Sequence, residues 1–228
     1  MLFRSNLMVF GVVLLFSPVS LGLAIGGDGP MDIAPRNVEC TTVASGPLST
    51  NYRLATGTYA HFALNSAHEI AYFPNKTKPD IQAEFQMCTP NYYGSNNNGT
   101  LQNYLIKYRG RIYLPELNRC IGVENAYSNS ATYYYPKVVP CVPLHEIATK
   151  KSIPQNFAYA ESDDLKFMYW TGASTPTKDQ GGCYWGLLGY TMTFPGAEPV
   201  TSKASNYRVT YECDKSDSSG AGSAASFR

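Results

Sequence analysis

The chain has 228 residues, with 18 Lys and Arg against 17 Asp and Glu, a formal net charge of +1, and 18 Tyr among its 13% aromatic residues. That balance lacks the basic excess of a nucleic-acid-binding domain. Nor does it contain the basic amphipathic helix of a peripheral membrane protein.

The N-terminus announces a compartment. Arg4 precedes an apolar run over 7–16, and Gly22-Leu23-Ala24 supplies small residues around a cleavage point, so residues 1–24 read as a secretory signal peptide. The run is interrupted by Pro18 and falls short of the roughly 18–20 apolar residues that a membrane span needs. No later segment is long and apolar enough to span. The expectation is a secreted, extracellular protein with no membrane span. Its mature part carries 17 basic and 17 acidic residues and is long enough for one well-filled core.

Residues 25–50, with Gly26-Gly27, Pro30 and Pro35, read as an irregular N-terminal extension pinned by Cys40. Beyond it the chain repeats itself. Gln102-Asn103-Tyr104 returns 53 residues later as Gln155-Asn156-Phe157, and Leu64-Asn65 returns at the same interval as Leu117-Asn118. Gly57 and Gly110 keep that register, as do Cys88 and Cys141, while Ala67 matches Cys120. A third, looser copy opens at Asn156-Phe157, with Cys183 and Cys213 in the cysteine positions and roughly ten extra residues in each of two loops, an insertion that loop-closure entropy tolerates. The units run over 51–102, 103–155 and 156–214.

Six cysteines in a secreted chain predict disulfides rather than a metal site, and no C-x-x-C spacing is present. The repeat register predicts Cys120–Cys141 and Cys183–Cys213 by equivalence. Cys40 and Cys88 remain, and they are expected to pair because unit one has Ala67 in place of an internal partner.

Strand-type segments, short and rich in aromatic and β-branched residues, occur at 104–108, 111–114, 133–139, 165–170 and 207–213, separated by Gly, Asn, Asp and Pro turns. Residues 145–151 hold one or two helical turns at most. The tail 215–228 is small and polar and is expected to be disordered. The fold class is therefore all-β, with three units of about 50 residues, each too small to bury its own face, sharing one core. Tyr52, Tyr104 and Phe157 are expected to fill it.

Cys120-Ile121-Gly122-Val123, then Val139-Pro140-Cys141, then Gln155-Asn156-Phe157 resembles the C-L-D-V … L-W-P-C … Q-x-W succession of ricin-type B lectins. The resemblance covers about residues 50–214. It implies a β-trefoil of three disulfide-bearing units, with Cys120 bonded to Cys141, and carbohydrate binding as the activity. In that family an Asp two residues after the first cysteine accepts sugar hydroxyls. The matching positions here hold Glu69, Gly122 and Trp185, so only unit one keeps a carboxylate. Leu101 and Pro154 stand before the two Gln residues, where the family has an Asn.

The resemblance thus points to a sugar site in unit one, with Glu69 as acceptor, Tyr92 or Tyr93 as stacking ring, and Asn96, Asn97 and Asn98 as nearby amides. Trp185 is a further carbohydrate-binding candidate, against the reading that it packs on a disulfide. Tyr133-Tyr134-Tyr135 alternates, so one or two of its rings must leave the core and are available as a binding face. Asn75 and Asn98 head N-glycosylation sequons.

Catalysis is not expected. His68-Glu69 and His145-Glu146 lack a second His four residues on, since Tyr72 and Thr149 stand there, and Asp163-Asp164 reads as a hairpin turn. No cofactor and no metal is implied. Two binding classes and one structural class follow: a lectin-like module for a glycan; a trefoil with decayed sugar sites that acts on a secreted or host protein, as a protease inhibitor or effector, through loop 171–182; and a disulfide-held wall or matrix protein.

Overall fold

The computed structural model describes residues 38–51, 53–75, 81–91, 100–102, 105–128, 131, 133–161, 166–172, 188–190, 197–213 and 225–227. They form an all-β structure. In chain order its strands are β1 Glu39–Thr50, β2 Ala63–Leu64, β3 Ile70–Ala71, β4 Gln82–Thr89, β5 Thr100–Gln102, β6 Leu105–Leu114 and β7 Arg119–Val123. Then come β8 Tyr133–Tyr134, β9 Pro136–Val139, β10 Phe157–Glu161, β11 Lys166–Trp170, β12 Leu188–Tyr190, β13 Tyr211–Cys213 and β14 Ala225–Phe227. Helix among the described residues is limited to 3-10 turns at Leu144–Glu146, Lys150–Gln155 and Lys203–Ser205.

Six strands close on one another, all antiparallel. β1 pairs β4 (Cys40 opposite Cys88), β4 pairs β6 (Phe85 opposite Ile112), and β6 pairs β10 (Tyr108 opposite Tyr159). β10 pairs β11 (Tyr159 opposite Met168), β11 pairs β14 (Met168 opposite Ala225), and β14 returns to β1 (Ser226 opposite Ser49). Closure satisfies both edges of every member strand, which an open sheet cannot do.

Residues that alternate inward fill this ring. Leu48, Phe85, Ile112, Leu114, Phe157, Tyr159 and Trp170 belong to one buried cluster. Trp170 is held by its indole N–H, which donates to the Ile153 carbonyl at 2.9 Å, and by the tilted ring of Tyr134 at 5.1 Å. On the opposite face of β10 and β11, Ala158 and Ala160 pack with Phe167 and Tyr169. Both predicted bridges that fall on described residues are present: Cys40–Cys88 fastens β1 to β4, and Cys120–Cys141 ties the start of β7 to the chain after β9. Cys183, and with it the expected bridge to Cys213, lies outside the described residues.

Three sequence expectations are corrected. The extension 25–50 is not irregular throughout, because Glu39–Thr50 is a ring strand. Beside Leu48, its buried positions are polar: Ser49, Thr50 and the adjoining Asn51 have 3% exposure or less. They find partners within the chain, Thr50 Oγ1 accepting from the Ala60 N–H and Asn51 Oδ1 from the Tyr190 hydroxyl, 139 residues away. A hydropathy pattern therefore does not mark this strand. The tail 215–228 is not wholly disordered, since Ala225–Phe227 pairs with β1 and β11, recruited by their free edges rather than by its own propensity. Finally, Gly110 does not break a strand. β6 runs through it, and a Cβ there would collide with the Gln86 carbonyl, so glycine is what lets β4 approach.

Hairpins stand between ring strands: β2 with β3 between β1 and β4, β7 with β9 between β6 and β10, and β12 with β13 between β11 and β14. They meet one another. The Val138 N–H donates to the His68 carbonyl at 2.9 Å, Val209 N–H to Ile70 O at 2.8 Å, and Tyr72 N–H to Tyr207 O at 3.0 Å.

Candidate functional site

The segment 133–139 crosses the place where these hairpins meet. An extended chain sends successive side chains to opposite sides, and the burial follows: Tyr134 is 1% exposed, whereas Tyr133 is 44% exposed and Tyr135 half-buried. Tyr134 enters the core and its hydroxyl donates to the Ser128 carbonyl at 2.8 Å. Tyr133, Tyr135 and Lys137 alternate with the buried Tyr134 and Pro136 and keep exposed surface. The expectation that one or two rings of this triplet leave the core is met.

The backbone beneath the outer rings is fixed by Asn125. Its amide donates to Tyr133 O at 2.9 Å and its oxygen accepts from the Tyr135 N–H at 3.2 Å, while the Glu124 N–H donates to Tyr135 O at 2.9 Å. A ring presented by a fixed backbone loses little freedom on binding.

Tyr135 is covered by a cation. The Arg208 guanidinium carbon lies 3.9 Å from the ring centroid, well within cation–π range. Arg208 Nη1 donates to Glu69 Oε1 at 2.8 Å, and Asn65 Nδ2 donates to Glu69 Oε2 at 2.8 Å. Asn65 Oδ1 in turn accepts from the Ala67 and Glu69 N–H groups, both at 3.0 Å. Lys137, bridged to Glu69 through the backbone ladder, donates to Glu124 at 2.6 Å. Burial raises the Glu69 carboxyl, but the Asn65 amide, the Arg208 guanidinium and the more distant Lys137 outweigh it and hold the group below the ordinary carboxylate range.

This geometry changes the role of the sequence-predicted acceptor. Glu69 is 17% exposed and each of its oxygens already has a partner from the chain, so it knits three hairpins instead of facing an open sugar site. Tyr92, Tyr93, Asn96, Asn97, Asn98 and Trp185 lie outside the described residues. Asn75 is exposed in a turn after β3, as a sequon asparagine must be.

At the second-unit position, Gly122 is buried. A Cβ there would stand 2.7 Å from Val139 Cγ2 and 3.4 Å from Gln155 Cγ. The space beside Gly122 is thus filled by the Val139 side chain. Gln155 is structural. Its amide donates to Pro140 O at 2.7 Å and accepts from the Val142 N–H at 3.0 Å, gripping the chain on both sides of Cys141.

Sequence reasoning missed Arg208, Asn65, Asn125 and Lys137. The Arg208–Glu69 pair spans 139 residues, and no local pattern announces such a contact. Asn65 and Asn125 sit in turns, where their residue type is ordinary. Among the described residues no group of three or more His, Cys, Asp and Glu side chains is arranged to hold a metal ion, and no helix is long and apolar enough to cross a membrane. Comparison of the chain with protein-family models, with curated proteins and with solved structures finds no match.

Proposed function

We propose that the chain is a secreted, non-catalytic carbohydrate-binding module of β-trefoil architecture whose sugar contact is the Tyr133 face. The trefoil reading is supported by the order of pairing: ring strand, hairpin and ring strand succeed one another three times around the closed ring. On that reading the units are 39–89, 105–161 and 166–227, and they do not follow the 53-residue register: Gly110 lies within ring strand β6 whereas Gly57 lies in a turn, and Cys88 lies in β4 whereas Cys141 follows β9. The likeness to ricin-type B lectins adds the expectation of sugar binding.

The observation that carries the site is the exposure of Tyr133, two residues from Tyr135, whose ring lies under Arg208, and in the same segment as Lys137, which is paired with Glu124. An aromatic face beside hydrogen-bonding groups matches a sugar, which offers a C–H face and a rim of hydroxyls. The two carboxylate positions that the lectin likeness singles out in units one and two do not compete. Glu69 is internally paired, and Gly122 has no side chain and no room for one.

The test is calorimetric titration and glycan-array binding of the mature protein against Tyr133→Ala. The expected result is at least tenfold weaker binding in the variant with no shift of the unfolding midpoint. Undiminished binding by Tyr133→Ala places the contact elsewhere, and silence of the native protein across the array turns the search to protein partners.

A further inference from the structure

Three segments distant in sequence converge on one carboxylate. Asn65 and Glu69 come from the β2–β3 hairpin, Tyr135 and Lys137 from the chain of β8 and β9, and Arg208 from the segment before β13. Among the described residues the charged groups around Glu69 are identifiable. Arg208 is paired with it, Lys137 stands behind it and is shared with Glu124, and the exposed His68 leads into it with a left-handed backbone, φ 58°. Arg208 has no second carboxylate among the ion pairs of the described residues. The guanidinium is therefore held over Tyr135 by Glu69 on one side and by the ring on the other.

We propose that the Glu69–Arg208 pair is an acid-released latch: neutralising the Glu69 carboxylate disengages Arg208 from Tyr135 and lets the three hairpins part while the six-stranded ring stays closed. The latch stands on the pairing itself and does not depend on the ligand of the Tyr133 face. Its consequence for that face follows directly, because Tyr133 and Tyr135 share one backbone segment.

The physical basis is the asymmetry between making and breaking a partly buried pair. A guanidinium that loses its carboxylate in a half-desolvated site is left uncompensated, which costs more than the pair contributed. The ring has little of this dependence. Its strands are joined by ladders and by Cys40–Cys88, which do not titrate in acid, and the carboxylate that does cross from β4 to β1, Glu84 accepting from the Thr42 hydroxyl at 2.8 Å, is exposed. Because the folded Glu69 carboxyl is held below its ordinary range, the latch is fully closed above that range and is lost as pH falls through the folded value.

Hydrogen exchange reads the two parts separately. The Val138, Val209 and Tyr72 amides bridge the hairpins, and the β4 and β10 amides report the ring. After correction for intrinsic rates, protection of the three bridging amides is expected to fall at least tenfold between about pH 6 and about pH 2.5 in the native protein, with ring protection unchanged. In Glu69→Gln the bridging amides are expected to be poorly protected already at the higher pH and to show no further fall. Should Glu69→Gln not fold, Arg208→Met serves instead, with the same flat profile expected. Bridging amides that stay protected at low pH in the native protein, or that lose protection identically in either variant, overturn the latch.

Discussion

Replacing Phe157 by Ala probes the register on which the fold rests. Phe157 opens β10, is 1% exposed, and lies directly between Gly110 on β6 and Trp170 on β11. Neither neighbour is able to fill the space it leaves. Gly110 has no room for a Cβ against the Gln86 carbonyl, and Trp170 is anchored to Ile153 O. Withdrawing about 100 Å² of apolar surface from burial costs about 2.5 kcal/mol at about 25 cal/mol per Å². A residual cavity of about 50 Å³ adds about 1.2 kcal/mol at about 24 cal/mol per Å³. The sum, about 3.7 kcal/mol, falls in the range of about 3–5 kcal/mol found for buried Phe→Ala changes.

The assay is urea unfolding without reductant, followed by far-UV dichroism and by fluorescence so that coincidence of the two curves tests two-state behaviour. The midpoint should fall while the slope is kept. Leu117→Ala, in an exposed turn, should change stability by about 0.5 kcal/mol or less. A Phe157→Ala loss below about 1 kcal/mol, far under the core range, would show that the ring does not bury Phe157 as described and that the register between β6, β10 and β11 is wrong.

Other outcomes are expected. Replacing Cys40 and Cys88 together by Ala opens a 48-residue separation and should cost about 4 kcal/mol on a chain-entropy basis, against about 3.4 kcal/mol for Cys120 with Cys141 and its 21-residue separation. Chemical denaturation of the two variants measures this, and a cost under about 1 kcal/mol for the first pair would mean that the β1–β4 ladder needs no staple. Gly122→Asp, which restores the carboxylate of the lectin pattern, should destabilise by about 1–3 kcal/mol and create no sugar affinity, because its Cβ meets Val139 at 2.7 Å. A stable Gly122→Asp protein with new glycan binding would show instead that the pocket opens readily.

The parts of this protein legible in sequence were those in which one residue type has one physical use. Cysteine spacing led to Cys40–Cys88 and Cys120–Cys141, and alternation in 133–135 led to one ring in the core and an exposed ring outside it. The repeated Gln-Asn-aromatic register marked Phe157 as core and Gln155 as a landmark, although the reason for Gln155 appeared only as its grip on Pro140 and Val142. Less legible were β1 and β14. A strand that closes a ring is selected by the unpaired edges on either side of it, and it tolerates a polar sequence where its side chains find partners, as Thr50 and Asn51 do.

Glu69 marks the boundary between the two kinds of information. By itself the sequence determined that a carboxylate stands two residues after the position of a missing cysteine, in an all-β chain with paired cysteines. Only the tertiary structure decided what that carboxylate does, by bringing Arg208 to it across 139 residues and laying the guanidinium on Tyr135. The reason is range: periodicity and turn chemistry act within a few residues, whereas the desolvation and pairing of a charge depend on whichever distant segments the closed ring carries to its side.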